Sequence, residues 1–420
     1  MRILLVNDCP PGISGSGGAE THIRQLKDAL AESGQTVALL AGRRDAVSER
    51  DEDDVFLVPN LDLPPLRKHA LDNRHKQQVA LKQAEEMILR FKPDVIHVHN
   101  FINPGVLRLL RRSGPVVKSL HDVRPFCIKP PPITASRLID DSEELCRGDM
   151  GLHCFFRCYA HAGDSLTDRL ASWAQFPANL RSLDEVLKYD HLITYGAYLR
   201  DLASRRFPNP ERIHIVNHFT EAERESAGFE MLPHTETVFL FAGRFSYEKG
   251  LHHIFQALEK IPDISCRVII AGDGPQHDEI ERMARSVSPR HTIELHGFVT
   301  QEQLYHLYTR SSVLLFPSIG SEGCGLVGLE SMFFGNTAIG YDTGGAGEWL
   351  VDGQTGIRVD RCNIDGLAAA MKRLADNPEE RMRLRGQARD YVRRKFRREA
   401  HINHLMDIYE QTICDWQVAV

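Results

Sequence analysis

Short apolar runs rich in valine, isoleucine and leucine alternate with longer helical patterns along this chain, and the alternation begins twice. RILLVN, TVALLAG, DVIHVHN, PVVKSLHD, HLITYG and RIHIVNH form the first series; VFLFAGR, CRVIIAGDG, TIELHGFV, SVLLFPS and NTAIGYD form the second. Runs this short and this continuously apolar read as strands buried on both faces, the pattern of a parallel sheet. Parallel neighbours need a crossover between them, and helical stretches such as 20–33 and 77–91 stand where it must lie. Two series joined by one polar stretch, TEAERESAGFEMLPHTET, predict two doubly wound α/β domains. A chain of 420 residues also exceeds the roughly 250–300 at which one core stops growing.

The predicted boundaries are 1–218 for the first domain, 219–236 for the linker and 237–395 for the second domain. The stretch 396–420 has helical spacing and is expected to cross back to the first domain. Residues 124–185 form an insert after the SLHD strand. In parallel-sheet domains ligands bind beyond the carboxyl ends of the strands, so the cleft between the domains is the expected active site.

Composition narrows the function classes. A net charge of −6 gives no global electrostatic case for nucleic-acid binding. No apolar run approaches the roughly 20 residues needed to cross a bilayer. The opening MRILLVNDCPPG is a strand followed by a turn, not a secretion signal, and nine cysteines in such a chain point to free thiols in a reducing cytosol. The expected location is therefore cytoplasmic.

Five stretches carry candidate chemistry. GISGSGGAETH follows the first strand, where small residues let the backbone approach a ligand and a helix N-terminus favours an anion. It is not GxGxxG, and the acidic ribose-binding residue of a dinucleotide fold is not evident, which disfavours a nicotinamide dehydrogenase. FAGRFSYEKG places Arg244 and Lys249 just after a strand; a donor fork and a compact charge together suit a diphosphate. IIAGDGP reads as a structural turn. SEGCGLVGLE holds Glu322 in a glycine-rich loop and Glu330 in the helix that follows, too far along the segment to act as a carboxylate pair on one substrate atom. Each glutamate is expected to accept from a different ligand hydroxyl. SLHD places His121 and Asp122 at the end of a strand of the first domain, where a histidine can hydrogen-bond a sugar hydroxyl.

Taken together, the glycine loop, HD (121–122), GRFSYEKG, GDGP, HGFV (296–299), SEGCGLVGLE and TGG (343–345) resemble the retaining GT-B glycosyltransferases of family four. The resemblance implies two Rossmann-like domains facing across a cleft and transfer of a sugar from a nucleotide diphosphate sugar to an acceptor hydroxyl. Gly17 and Gly18 would bring amides to the donor phosphates, and Arg244 and Lys249 would neutralise the diphosphate as the glycosidic bond breaks. Val299 would present its backbone to the base. Glu322 would position the donor sugar with the backbone of Gly323, Cys324, Gly325 and Leu326, Glu330 would accept from the ribose, and His121 would contact the transferred sugar. No cofactor and no metal are implied, because the two cations take that role. UDP is the first expected nucleotide, with GDP or ADP as alternatives. The acceptor is open.

Two departures stand out. Cys324 occupies the position where the family usually has phenylalanine, and VNHFTEA replaces the usual NG-V/I-D after the last strand of the first domain. Cys324 keeps a second reading alive, that of a catalytically inert sugar-nucleotide-binding protein of the same fold. In the insert, Cys127, Cys146, Cys154 and Cys158 do not follow a standard zinc-ribbon spacing, and buried thiols are favoured there over a zinc site or a disulfide. The basic segment RMRLRGQARDYVRRKFRR (381–398) could touch anionic lipid at the inner face of a membrane; a solvated basic face is the preferred reading.

Overall fold

A computed structural model describes residues 1–10, 17–43, 54–61, 70–100, 103–126, 188–230 and 236–419. The chain divides into two compact units. The first contains seven parallel strands: β1 (Arg2–Asn7), β2 (Thr36–Arg43), β3 (Val55–Pro59), β4 (Val95–Val98), β5 (Val116–Leu120), β6 (His191–Thr194) and β7 (Ile213–Ile215). Their order across the sheet is β3-β2-β1-β4-β5-β6-β7, so the direction of winding reverses between β1 and β4. The insert cysteines Cys127, Cys146, Cys154 and Cys158 lie outside the described residues.

The second unit contains β8 (Val238–Ala242), β9 (Arg267–Ala271), β10 (Thr292–Gly297), β11 (Val313–Phe316), β12 (Thr337–Tyr341) and β13 (Gly356–Val359), ordered β10-β9-β8-β11-β12-β13. Winding reverses here between β8 and β11. Both faces of this sheet are covered, and side chains divide between them with a period of two. Phe239, Phe241, Val268, Ile270, Val313 and Leu315 enter one core. Their neighbours Val238, Leu240, Ile269, Ala271, Leu314 and Phe316 enter the other. Such strands have no polar face to betray their register, which is why they read in sequence as unbroken apolar runs. The sequence patterns anticipate eleven of these strands; β3, with mostly half-buried residues, and the four-residue edge strand β13 escaped them.

The expected linker, the C-terminal helix and the basic segment are all built into the two units. The proposed linker packs into the second unit over its first half: Phe219, Ala222 and Ser226 are buried, and Ala222–Glu225 forms a helical turn. The helix Arg398–Ala419 belongs to the first unit, burying His401, Ile402, Leu405, Ile408, Tyr409 and Thr412 at helical spacing. The basic helix Pro378–Lys395 is not simply a solvated cationic face. Arg381 and Arg385 are each 1% exposed, and they donate to the carbonyls of Leu374 at 2.5 Å and Gly335 at 2.7 Å. Arg389 donates to the carbonyls of Phe229 and Ser226, and Lys395 pairs with Glu348 at 2.9 Å. Burial lowers the Arg385 guanidinium to about 10. Among the described residues, no helix is long and apolar enough to cross a membrane.

Arg385→Ala should therefore destabilise the protein, since an unpaired buried acceptor alone costs about 1–3 kcal/mol. Urea denaturation should show a clear drop in midpoint for Arg385→Ala and none for the exposed Arg394→Ala.

Candidate active site

In the second unit the two charged motifs lie on loops at the carboxyl ends of β8 and β11, which are neighbours at the point where the winding reverses. That is where an open parallel sheet leaves a crevice. The loops are tied by backbone: the carbonyl of Glu248 accepts the amides of Ile319 at 2.9 Å and Gly320 at 3.0 Å. Gly250 makes this approach possible. Its φ is +64°, and a Cβ there would stand 2.0 Å from the carbonyl oxygen of Pro317.

The tie brings Lys249 to Glu322. Lys249 Nζ donates to Glu322 Oε1, the same oxygen that accepts the Ser318 hydroxyl at 2.8 Å. The side chains remain partly open, at 29% and 16% exposure. Two residues expected to serve different parts of one ligand are thus paired with each other. Arg244, two residues beyond β8, is exposed and its guanidinium finds no partner among the described residues.

A third segment props the glycine-rich loop from behind. The amide of Gly345 donates to the Glu322 carbonyl at 2.8 Å, and a Cβ on Gly345 would lie 2.0 Å from the Gly323 oxygen. Trp349 Nε1 donates to the Cys324 carbonyl at 2.6 Å. The Cys324 side chain belongs to the hydrophobic core. It is buried in the core with Phe316, Leu329 and Trp349, and burial pushes its thiol well above the usual range. Its side chain fills the core and does not line an open sugar site. Beyond it, Leu326–Phe333 is an eight-residue helix whose N-cap, Gly325, supplies no side-chain cap.

Glu330, one turn into that helix, is 5% exposed. Its carboxylate accepts from Thr220 Oγ1 at 3.2 Å, Gln301 Nε2 at 3.2 Å and the Tyr308 hydroxyl at 3.1 Å. A carboxylate has about four acceptor positions, so three are already in use. Thr220 comes from the segment expected to be linker, and neither it nor Tyr308 carried a sequence signal. Val299 is half-buried against the same core, with Phe298 beside it 69% exposed.

In the first unit Gly17 caps the helix Gly18–Glu32, and its amide is bonded to Glu20 Oε2 at 2.8 Å. Glu20 Oε1 also accepts from Asn100 at 3.3 Å. The Gly17 amide, expected to face a phosphate, is occupied by a carboxylate of its own chain. Residues 11–16 of the glycine loop lie outside the described residues. Asp8, Cys9 and Glu20 bring three ligand-type atoms within 4.8 Å, but Glu20 is committed to the cap. His121 follows β5, and its Nε2 meets His99 Nδ1 at 2.9 Å.

Comparison with known proteins places this geometry. The pattern described as Glycosyltransferase Family 4 matches residues 16–224, and that described as Glycosyl transferases group 1 matches residues 223–391. The chain belongs to glycosyltransferase family 4. This family 4 glycosyltransferase is 28% identical over 260 residues to alpha-D-kanosaminyltransferase of Streptomyces kanamyceticus, a match covering 59% of this chain and 65% of that protein. It is 25% identical over 418 residues to glycogen synthase of Mycobacterium tuberculosis, covering 94% and 91%. The solved structure of HepE from Anabaena in complex with UDP superposes with a TM-score of 0.66 at 15% identity, covering 98% of this chain and 100% of that one. The fold of the glycosyltransferase is GT-B.

Burial raises the Glu330 carboxyl above its ordinary value, partly offset by the bonds from Gln301, Tyr308 and Thr220. The folded state therefore holds this proton more tightly than the unfolded chain, so stability falls as pH rises from the ordinary glutamate value through the raised one. Glu330→Gln should remove that slope. Denaturant unfolding of both proteins across this range measures it; parallel pH profiles would refute the assignment.

Proposed function

We infer that the enzyme moves a sugar from a nucleotide diphosphate sugar to an acceptor hydroxyl, with retention of anomeric configuration and without a divalent metal. The observation that carries this reading is the pairing of Lys249 with Glu322 on tied loops at the winding reversal of the second sheet. An ammonium held by a carboxylate is a cation whose partner an anionic ligand can replace. When a diphosphate takes Lys249, Glu322 Oε1 is released to accept a sugar hydroxyl. One exchange then serves both ends of the donor.

In this reading Arg244 and Lys249 stabilise the charge that grows on the diphosphate as the bond from the sugar C1 to the phosphate oxygen breaks. The acceptor oxygen bonds to C1 on the same face, and its proton passes to the leaving diphosphate oxygen. No pair of protein carboxylates is needed. The amides of Gly323 to Leu326 support the donor sugar and phosphates, aided by the uncapped helix end. Glu330 uses its fourth acceptor position for a ribose hydroxyl, and the Val299 backbone meets the base. From the first unit, Gly18 offers its amide to phosphate, Gly17 does so once Glu20 turns away, and His121 contacts a sugar hydroxyl. HepE is solved with UDP, which makes UDP the first nucleotide to test, with GDP and ADP as alternatives.

A thermal-shift screen with UDP, GDP, ADP and their sugar conjugates, in the presence of EDTA, tests the donor assignment. A ligand at 100 times its Kd should stabilise the enzyme by about 2.7 kcal/mol. Lys249→Ala should abolish that stabilisation and most donor-dependent turnover while leaving the unliganded melting profile the same as that of the unsubstituted enzyme. Undiminished turnover in Lys249→Ala would refute the diphosphate role, and loss of turnover on adding EDTA would refute metal independence.

A further inference from the structure

DVIHVHN reads in sequence only as a buried strand, yet its two histidines enter a buried polar cluster of the first unit. His97 is 1% exposed; its Nδ1 meets the Tyr409 hydroxyl at 2.7 Å and its Nε2 meets Ser119 Oγ at 2.8 Å. Burial, with smaller effects from His401 and Lys118, lowers His97 to about 3. The His99 ring lies on that of His97 with centroids 4.1 Å apart. His99 is fully buried, and its backbone carbonyl accepts from Lys118 Nζ. Burial first, then neighbouring His97, His121, His22 and Lys118, hold His99 well below the usual histidine range. It is neutral at physiological pH and carries one ring proton.

Where that proton sits follows from the neighbours. His99 Nδ1 faces His121 Nε2 at 2.9 Å, whereas His99 Nε2 is buried and has no partner among the described residues. A proton on Nε2 would be a buried donor with nothing to donate to, among the rarest and costliest defects in a folded protein. A proton on Nδ1 makes the bond to His121 and leaves only a bare acceptor unsatisfied. His121, accepting at Nε2, must in its neutral form carry its own proton on Nδ1. Its ring is also braced by Tyr195, with centroids 5.0 Å apart, and by His22 at 5.8 Å.

We propose that His99 is a positioning residue for His121. It donates to His121 Nε2, fixes the plane of the ring, and sets the tautomer in which the opposite nitrogen is a hydrogen-bond donor. His121 then meets a substrate oxygen as a donor and cannot take a proton from it at that nitrogen. The proposal rests on the reading that His121 contacts substrate, and it narrows that contact to one direction of hydrogen bonding.

Nitrogen-15 NMR of the uniformly histidine-labelled enzyme tests it without any substitution at 99. The His121 signals, identified by their loss in His121→Asn, should show a protonated Nδ1 and a bare Nε2. A protonated Nε2 in the neutral ring would overturn the proposal. The second arm is kinetic, following UDP release from UDP-glucose or from the sugar nucleotide that the thermal screen selects. His99→Phe, which keeps a ring without the donor, should lower kcat by about 10–100-fold, the range found when the partner orienting a metal-bound histidine is removed. The donor KM should change little, and His99→Asn, whose amide can donate from a similar position, should recover most of the rate. If His121→Asn cripples turnover but a folded His99→Phe does not, the positioning role is refuted and the substrate contact stands. If His121→Asn leaves turnover unchanged, the substrate contact itself is refuted, and the tautomer measurement still decides what His99 does to the ring.

Discussion

The second unit depends on one close approach of backbones. The carbonyl of Glu248 accepts two amides from the loop after β11, and this pair of hydrogen bonds is geometrically available only because Gly250 occupies a left-handed conformation against Pro317. Every charged contact at the candidate site follows from it. With the loops tied, Lys249 reaches Glu322, Ser318 shares the same carboxylate oxygen, and Gly345 can support the Glu322 carbonyl from the third segment. A cation and an anion held in this way stay partly hydrated, and such a pair adds little net stability.

Glu330 shows a different solution to placing a carboxylate. It is buried, and burial favours its neutral form, but three donors hold it, Thr220 from one segment and Gln301 and Tyr308 from a single helix. The result is a rigid acceptor with one position to spare. The two glutamates of a single ten-residue motif therefore differ in kind: one is partly open and paired with a lysine, the other is enclosed among three donors.

Much of the architecture was legible because a parallel sheet covered on both faces leaves an unmistakable trace, uninterrupted apolar runs separated by helical spacing. Strands β3 and β13 escaped because the first is only half-buried and the second is short. The basic helix misled for a related reason. Charge in a sequence reads as solvent, yet Arg381 and Arg385 are enclosed because each guanidinium meets a helix-end or turn carbonyl that would otherwise be unsatisfied. The polar composition of the apparent linker likewise hides Thr220 and Ala222, which tie it to the second unit through Glu330 and the hydrophobic core.

The sequence by itself determined which chemical groups sit beyond which strands, since spacing from a strand end is a local property: Arg244 and Lys249 after β8, Glu322 and the glycines after β11, His121 after β5. What those groups do to one another was decided by the tertiary structure. The pairing of Lys249 with Glu322, the three donors on Glu330, the withdrawal of the Cys324 side chain into the core, the occupation of the Gly17 amide by Glu20 and the bond from His99 to His121 each depend on the fold's geometry. Most of them join segments far apart in sequence. Such contacts are set by strand order and by the few places where glycine lets backbones touch, and no local pattern of residues encodes either.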